Sequence, residues 1–305
     1  MTSPFGRLVL VVDPANDHAS DERIREIETI LRSDGLDYRV VRAATHLDLE
    51  PATREALRAG DRFIVAIGGD DTVHHVVNGM MEDNGPILSG AVLGVVPTAS
   101  GSDFVKTFGL PEDLSRACSH LAGGATYSMD VGKVTFAGEG GRHIVRYFAN
   151  VAQAGLGGAV AASGQRVPGS SGVRHFLGFW IGLTRFRPAA VAVQAGPKSY
   201  RGRAHNVVVA NCQYHGGGMR VSPRSYPGDG FLDVLVMKGP KSDAFTMLPR
   251  LYRGEHLPHR NIVELKAKTV GVESERPYPV EVDGHPVGTT PVSFDLIPHP
   301  IAVKI

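Results

Sequence analysis

Gly68-Gly-Asp-Asp-Thr72 places two glycines, two aspartates and a threonine directly after the apolar run Phe63 to Ile67. Val73, Val76, Val77 and Met80 then recur at helical spacing, so the stretch reads as a strand, a glycine turn and a helix start. Glycines at such a turn let a ligand approach the backbone, and a helix N-terminus offers unpaired N–H groups and the positive end of its dipole. That arrangement suits the binding of an anion such as phosphate. A second small-residue turn, Pro97-Thr-Ala-Ser-Gly-Ser-Asp-Phe104, follows the next strand and leads into a short helix. The plain alternative for both loops is an ordinary strand-to-helix turn whose aspartates cap helix starts. Cys212 and His215 imitate half of a metal site, but no matching pair stands elsewhere and zinc is not expected.

The elements that must position these loops follow from hydrophobic periodicity. Leu8 to Val12 is an all-apolar strand, and Ile24, Ile27, Ile30 and Leu31 form a helical stripe that stops near Gly35. Tyr38 to Val41 and a helix opening near Pro51 make a second β-α unit, Phe63 onward the third, and Ala91 to Val96 the fourth strand. This alternation predicts a parallel sheet with helices on both faces, and in such sheets ligands sit at the carboxyl ends of the strands. Beyond Leu121-Ala-Gly-Gly-Ala125 strand-like segments dominate: Met129 to Phe136, Ile144 to Ala152, Val191 to Gln194, Ala204 to Asn211, Leu232 to Met237, Thr269 to Val272, Val280 to Val282 and Val292 to Leu296. They predict an antiparallel, sandwich-like second domain. The expected division is residues 1–127, with 297–305 a candidate return to that domain, and residues 128–296. One helical stretch is expected in the second half, His175 to Leu183 with Arg185 and Arg187 behind it. It suits either a membrane interface or packing against its own sheet.

Composition narrows the function classes. The chain has 305 residues, 42% apolar and 21% charged, with 37 glycines and 20 prolines, the profile of a turn-rich globular protein. A formal net charge of +1 advertises no nucleic-acid surface. Two cysteines far apart fit a reducing cytosol, and the sequence shows neither a signal-peptide pattern nor an apolar run of the ~20 residues needed to span a bilayer.

Four groups of residues stand in order along the chain: Gly68 to Thr72 with Val77-Asn-Gly79; Pro97 to Phe104 with Gly109-Leu-Pro111; Gly216-Gly-Gly-Met219 with Ser222-Pro223 and Asp229-Gly-Phe-Leu-Asp233; and Val282-Asp-Gly-His285 with Thr290-Pro291. Together they resemble the motifs of the diacylglycerol kinase catalytic family, the lipid kinases that include sphingosine and ceramide kinases and are more distantly related to NAD kinases. The resemblance covers essentially the whole chain. It implies a Rossmann-like α/β nucleotide domain, a β-sandwich-like lipid-substrate domain, and an active site in the interdomain cleft. The implied reaction is transfer of the γ-phosphate of ATP to the hydroxyl of diacylglycerol or a related lipid alcohol, with Mg2+ as cofactor.

In that reading ATP lies on Gly68, Gly69, Asp70, Asp71 and Thr72, with Ser100 and Gly101 contributing from the second loop. Asp70 and Asp103 are the magnesium-linked catalytic acids and His285 takes the hydroxyl proton. A structural magnesium ion falls on Asp229, with backbone oxygens of Tyr226 and Phe231 beside it. The protein is then expected in the cytoplasm, peripheral and transient at the inner face of the membrane, with edge strands available for a homodimer.

The departures from the family pattern fall on the chemistry. Asp71 replaces a glycine, adding a carboxylate beside polyphosphate that repels it unless a metal bridges the two. His285 stands where the family carries its glutamate base, and histidine, with an ordinary pKa of about 6.5, accepts a proton at neutral pH. Ala99 and Ser102 replace a glycine and an asparagine, and Asp13-Pro-Ala-Asn16 replaces an Asn-Pro-x-Ser strand end. His74 and His75 point to different helix faces and are not read as a metal pair. These departures leave two other readings open, a catalytically silent lipid or nucleotide binder and an NAD kinase-like enzyme.

Overall fold

The structure is a computed structural model that describes residues 3–13, 20–98, 101–164, 179–240 and 242–305. The chain divides into two compact units, Met1–Val131 with Ile297–Ile305, and Gly132–Leu296.

The first unit is built from β1 (Leu8–Val12), α1 (Asp21–Ser33), β2 (Tyr38–Arg42), α2 (Leu49–Arg58), β3 (Phe63–Ile67), α3 (Asp70–Met80), the small hairpin β4 (Met81–Glu82) and β5 (Gly85–Pro86), β6 (Val92–Val96), α4 (Asp103–Phe108) and α5 (Leu114–Ser119). Its strands pair in parallel in the order β2-β1-β3-β6. Every residue of β1, β3 and β6 is buried, which requires cover on both sheet faces. On one face Ile24, Ile27 and Leu31 of α1 pack with Leu114, Ala117 and Cys118 of α5 against Leu8, Leu10, Phe63 and Val65. α2 and α3 pack together so closely that a Cβ on Gly79 would stand 2.6 Å from Thr53 Cβ.

The second unit contains β8 (His143–Phe148), β9 (Val151–Gly155), α6 (Leu156–Gly164), β10 (Ala189–Ala195), β11 (Lys198–Ala204), β12 (Asn206–Ala210), β13 (Leu232–Met237), α7 (Asp243–Arg253), β14 (Ile262–Ala267), β15 (Thr269–Ser274), β16 (Pro279–Val282) and β17 (His285–Thr289). Two long strands, β7 (Thr126–Ala137) and β18 (Val292–Lys304), carry the chain across the unit boundary, and the end of β18 pairs in parallel with β6. One sheet of this unit runs β11-β10-β15-β18, with β7 and β8 paired beside it; the other runs β14-β13-β12-β9-β16-β17, antiparallel throughout. Val134, Phe148, Val193, Val272 and Phe294 from the first meet Ala152, Val207, Val234, Val280 and Val282 from the second in one core, which makes the unit a β-sandwich. The outer face of the six-stranded sheet is covered by Met247 and Leu251 of α7.

Two expectations for this unit need correction. The single strand expected from Ile144 to Ala152 is two strands, β8 and β9, because the N–H groups of Ala149, Asn150 and Val151 all turn to the carboxylate of Asp283. The single helical stretch is also too few, since α6 and α7 are helices. Of His175 to Arg187, residues 175–178 lie outside the described residues and 179–185 are helical. Leu183 and Phe186 are buried, with the Phe186 ring centroid 5.0 Å from that of Tyr278, while Arg185 and Arg187 are exposed.

Candidate active site

β3 ends at Ile67, and Gly68 is held to the neighbouring strand by its N–H, which donates to Val96 O at 3.1 Å. Gly69 is the N-cap of α3 in an extended conformation and offers no side-chain acceptor to the first turn. The two glycines have different reasons. A Cβ on Gly68 would lie 2.0 Å from Thr72 Oγ1, whereas a Cβ on Gly69 would meet nothing within 4 Å. Gly68 therefore makes room for the helix, and Gly69 faces open space at the N-terminus of an eleven-residue helix. Thr72 Oγ1 is buried without a hydrogen-bond partner among the described residues. An orphaned hydroxyl next to two bare glycines and a helix start fits a phosphate group.

The two aspartates have different surroundings. Asp70 accepts hydrogen bonds from Ser102 Oγ (2.8 Å), Asp103 N (2.9 Å) and Phe104 N (2.9 Å), so it caps α4 from outside and joins the two loops. Burial raises its pKa above the ordinary carboxylate range, the charge of Asp103 adds to that, and the donors from Phe104, Asp103 and Ser102 oppose it. Asp103 is itself buried at the first position of α4. The side chain of Asp71 is 55% exposed, with one oxygen 4.0 Å from His75 Nε2 one turn later. The His75 ring also lies against His74 and His46. Gly101 takes a φ of +95°, which glycine accommodates without strain. Ser100 and Ala99 lie outside the described residues, as do Pro14 to Asn16.

His285 belongs to the second unit, at the first position of β17 and paired with Val282 of β16. The turn between them is Asp283-Gly284, with φ of 48° and 88°, the two-residue geometry that an Asp-Gly hairpin favours. The buried Asp283 carboxylate accepts the N–H groups of Ala149, Asn150 and Val151 at 3.0 Å each. Glu281, with no exposed surface, accepts from Gly284 N (2.6 Å) and Gln153 Nε2 (2.8 Å) and lies 2.9 Å from His215 Nε2. Sequence reasoning missed Glu281, Gln153 and His215 as a group. The signal was the alternation Val280-Glu-Val282 and Ala152-Gln-Ala154, which puts Glu281 and Gln153 on one face as cross-strand partners. Cys212, instead of joining His215, directs its buried sulfur to Ala149 O at 3.2 Å.

The loop expected to hold a structural magnesium ion is neutralised internally. Asp229 Oδ2 accepts from Lys266 Nζ at 2.7 Å, and the same ammonium is 3.8 Å from Asp233 Oδ1. Asp229 Oδ1 accepts Phe231 N at 3.0 Å, and the Tyr226 carbonyl accepts the N–H groups of Gly228 and Asp229. The Phe231 ring lies near the ammonium groups of both Lys266 and Lys268. As arranged, these residues do not fit a divalent ion, which would have to displace the Lys266 ammonium. Burial raises the pKa of Asp233, with Lys266 and Ser225 opposing. No helix among the described residues is long and apolar enough to cross a membrane.

Comparison with known proteins agrees with this architecture. Residues 7–134 match the family model described as the diacylglycerol kinase catalytic domain, and residues 150–305 match the YegS C-terminal NAD kinase beta sandwich-like domain. The chain is 28% identical over 258 residues to the diacylglycerol kinase of Bacillus subtilis (strain 168), covering 82% of this chain and 78% of that one. It is 29% identical over 289 residues to a probable lipid kinase YegS-like of Pseudomonas putida, covering 92% and 89%. Among solved structures, a diacylglycerol kinase from Bacillus anthracis described as putative superposes with a TM-score of 0.77 at 22% identity, covering 99% of this chain and 98% of that one. Yeast NADH kinase complexed with NADH superposes with a TM-score of 0.52 at 11% identity, covering 99% and 83%, a likeness of fold.

Proposed function

The chain belongs to the diacylglycerol kinase catalytic family, and from that membership we propose that it moves the γ-phosphoryl group of ATP to the hydroxyl of diacylglycerol or a related lipid alcohol. In this reaction the bond from the γ-phosphorus to the bridging oxygen breaks, a bond to the lipid oxygen forms, and ADP leaves. The protein's task is to hold the phosphates and receive the hydroxyl proton. The observation that carries the reading is the loop at Gly68 to Thr72. It combines an open Gly69, the N-terminus of α3 and a Thr72 hydroxyl with no partner among the described residues.

Asp71, on the exposed side of that helix start, would meet the magnesium ion that accompanies the nucleotide. Magnesium, when bound, supplies neutralisation of the phosphate charge. Asp70 positions the second loop through its three donors. His285 offers an imidazole nitrogen that can receive the hydroxyl proton. The lipid is reached from the cytoplasmic face of a membrane by peripheral, reversible contact.

Asp71 also favours a second reading, a protein that binds lipid or nucleotide without turnover, because an unbridged carboxylate at that position repels polyphosphate. One assay separates the two. Pure protein is incubated with Mg-ATP and diacylglycerol in mixed micelles, and products are identified by mass spectrometry alongside His285→Ala. A phosphorylated lipid that His285→Ala fails to make supports the kinase. Lipid binding with no phosphorylated product at any pH from 6 to 9 overturns it in favour of the silent binder.

A further inference from the structure

We propose that His215, acting through Glu281, is a positioning residue for His285, a second histidine on which phosphoryl transfer depends; this rests on the reading of the chain as a lipid kinase with His285 as proton acceptor. The starting observation is a carboxylate that no water reaches. Glu281 has no exposed surface, and a buried carboxylate is tolerated only when its oxygens are satisfied. Its donors are Gly284 N on Oε2, and Gln153 Nε2 and His215 Nε2 on Oε1. His215 is the one ionisable donor of the three. Its bond to Glu281 requires a proton on Nε2, so the carboxylate also fixes the ring's tautomer and orientation, as outer partners of working histidines do.

The connection to His285 is short and covalent at its end. Gly284 is the second residue of the two-residue turn, and its N–H is tied to Glu281 while its carbonyl carbon bonds to His285. The other side of the turn is tied by Asp283 to the N–H groups of Ala149, Asn150 and Val151. Two buried carboxylates therefore clamp the turn, one through rigid backbone and one through His215.

His215 is in turn held by its own loop. Its N–H donates to Met219 O at 2.9 Å, and Gly216, Gly217 and Gly218 between them all take positive φ, a path open to glycine alone. The network also extends away from the turn. Gln153 Oε1 accepts from Asn206 Nδ2 at 2.6 Å, and Asn206 Oδ1 accepts Gly157 N at 3.0 Å in the first turn of α6. Removing the imidazole leaves Glu281 Oε1 with a single donor in a dry site, and the carboxylate that fixes Gly284, next to His285, is less firmly held.

The test uses the full chain with His215→Phe and His215→Gln. Glutamine keeps an N–H for Glu281 and phenylalanine does not. In the micelle assay His215→Phe is expected to lower kcat by about 10- to 100-fold, the range for outer partners of functional histidines, with KM for Mg-ATP unchanged. His215→Gln is expected to recover most of that loss. Long-range 1H–15N imidazole spectra provide a readout free of turnover. They should show His215 protonated at Nε2 in the wild type, and His285 resonances that shift in His215→Phe but not in His215→Gln. Wild-type kcat with unshifted His285 signals in His215→Phe overturns the proposal. So does His215→Gln as impaired as His215→Phe, or a wild-type His215 tautomer protonated at Nδ1. If no preparation phosphorylates lipid, the kinase reading falls alone and the spectra still decide whether His215 holds the turn.

Discussion

Gly68→Ala and Gly69→Ala test whether the loop's two glycines have the separate roles that the geometry gives them. At Gly68 the new Cβ would stand 2.0 Å from Thr72 Oγ1, 2.7 Å from Thr72 Cβ and 3.2 Å from Thr72 Cγ2. Carbon atoms pack at about 3.5–4.0 Å, so rotation of the threonine hydroxyl removes one clash and leaves the Cβ contact about 1 Å too short. The start of α3 must shift, at the 1–3 kcal/mol typical of overpacking, which for a domain of this size lowers Tm by roughly 2–4 °C per kcal/mol. At Gly69 the methyl meets no protein atom and φ is −102°, accessible to alanine, so the expected stability cost is under about 1 kcal/mol, that of a poorer N-cap. The effect on ligand should be reversed. The Gly69 methyl fills the space assigned to phosphate and should weaken Mg-ATP at least about tenfold, or ~1.4 kcal/mol, by calorimetric titration. Gly68→Ala should lose far more stability than affinity. Gly69→Ala that binds Mg-ATP like the wild type would refute the phosphate assignment. Gly68→Ala with an unchanged Tm would refute the steric reasoning.

Asp283→Gly keeps the positive φ of the turn but removes the acceptor of three buried N–H groups, and should cost about 3 kcal/mol or more in urea unfolding. Asp61 is raised by burial, yet its bonds to Arg39 and Arg7 override that and hold its pKa below the usual carboxylate value near 4. A depressed carboxylate stabilises above its unfolded pKa and loses that contribution as pH falls through the folded one. Asp61→Asn should therefore unfold more easily than the wild type at pH 7, and the difference should close as pH falls through the depressed folded-state pKa of Asp61. Lys266→Met should cost no more than about 1 kcal/mol, as for a partly exposed ion pair, and should make Tm rise on adding magnesium, while EDTA leaves the wild-type Tm unchanged. Asp71→Gly should lower stability by only about 1 kcal/mol, and in calorimetry should weaken Mg-ATP binding while tightening metal-free ATP.

The first unit was legible because its strands are buried on both faces, so Leu8–Val12, Phe63–Ile67 and Val92–Val96 announce themselves as unbroken apolar runs. The glycine turns follow at once from their strands. The second unit was less legible where tertiary contacts decide. The break between β8 and β9 is made by Asp283, more than a hundred residues away, and no local pattern encodes it. β11, Lys-Ser-Tyr-Arg-Gly-Arg-Ala, is an edge strand that keeps most of its residues in water and so shows no apolar alternation. α6 has glycine at three of its nine positions, and α7 carries Pro249 inside, both against helix propensity, so packing rather than sequence preference sustains them. The alternation Val280-Glu-Val282 carries the signal that would place Glu281 on a strand face, but no local pattern names His215, which reaches it from a separate glycine loop.

Within both chemistry-bearing motifs the residues divide in the same way. Asp70, half-buried, and Asp283, buried, are the acids that agree with the family pattern, and each accepts three donors that fix a loop or a strand end. The departures, Asp71 and His285, stand one and two positions further on and form none of those bonds. On a helix, neighbouring residues point about 100° apart, so Asp71 can change without disturbing the contacts of Asp70. His285 leaves the clamp on its turn intact for the same kind of reason, since Asp283 and Gly284 carry the bonds. The fold can therefore match its relatives from end to end while the charge at the loop proposed to hold phosphate and the group proposed to receive the proton both differ. Similarity of architecture bears on the residues that hold it, and the chemistry must be read from the two positions that the architecture leaves free to vary.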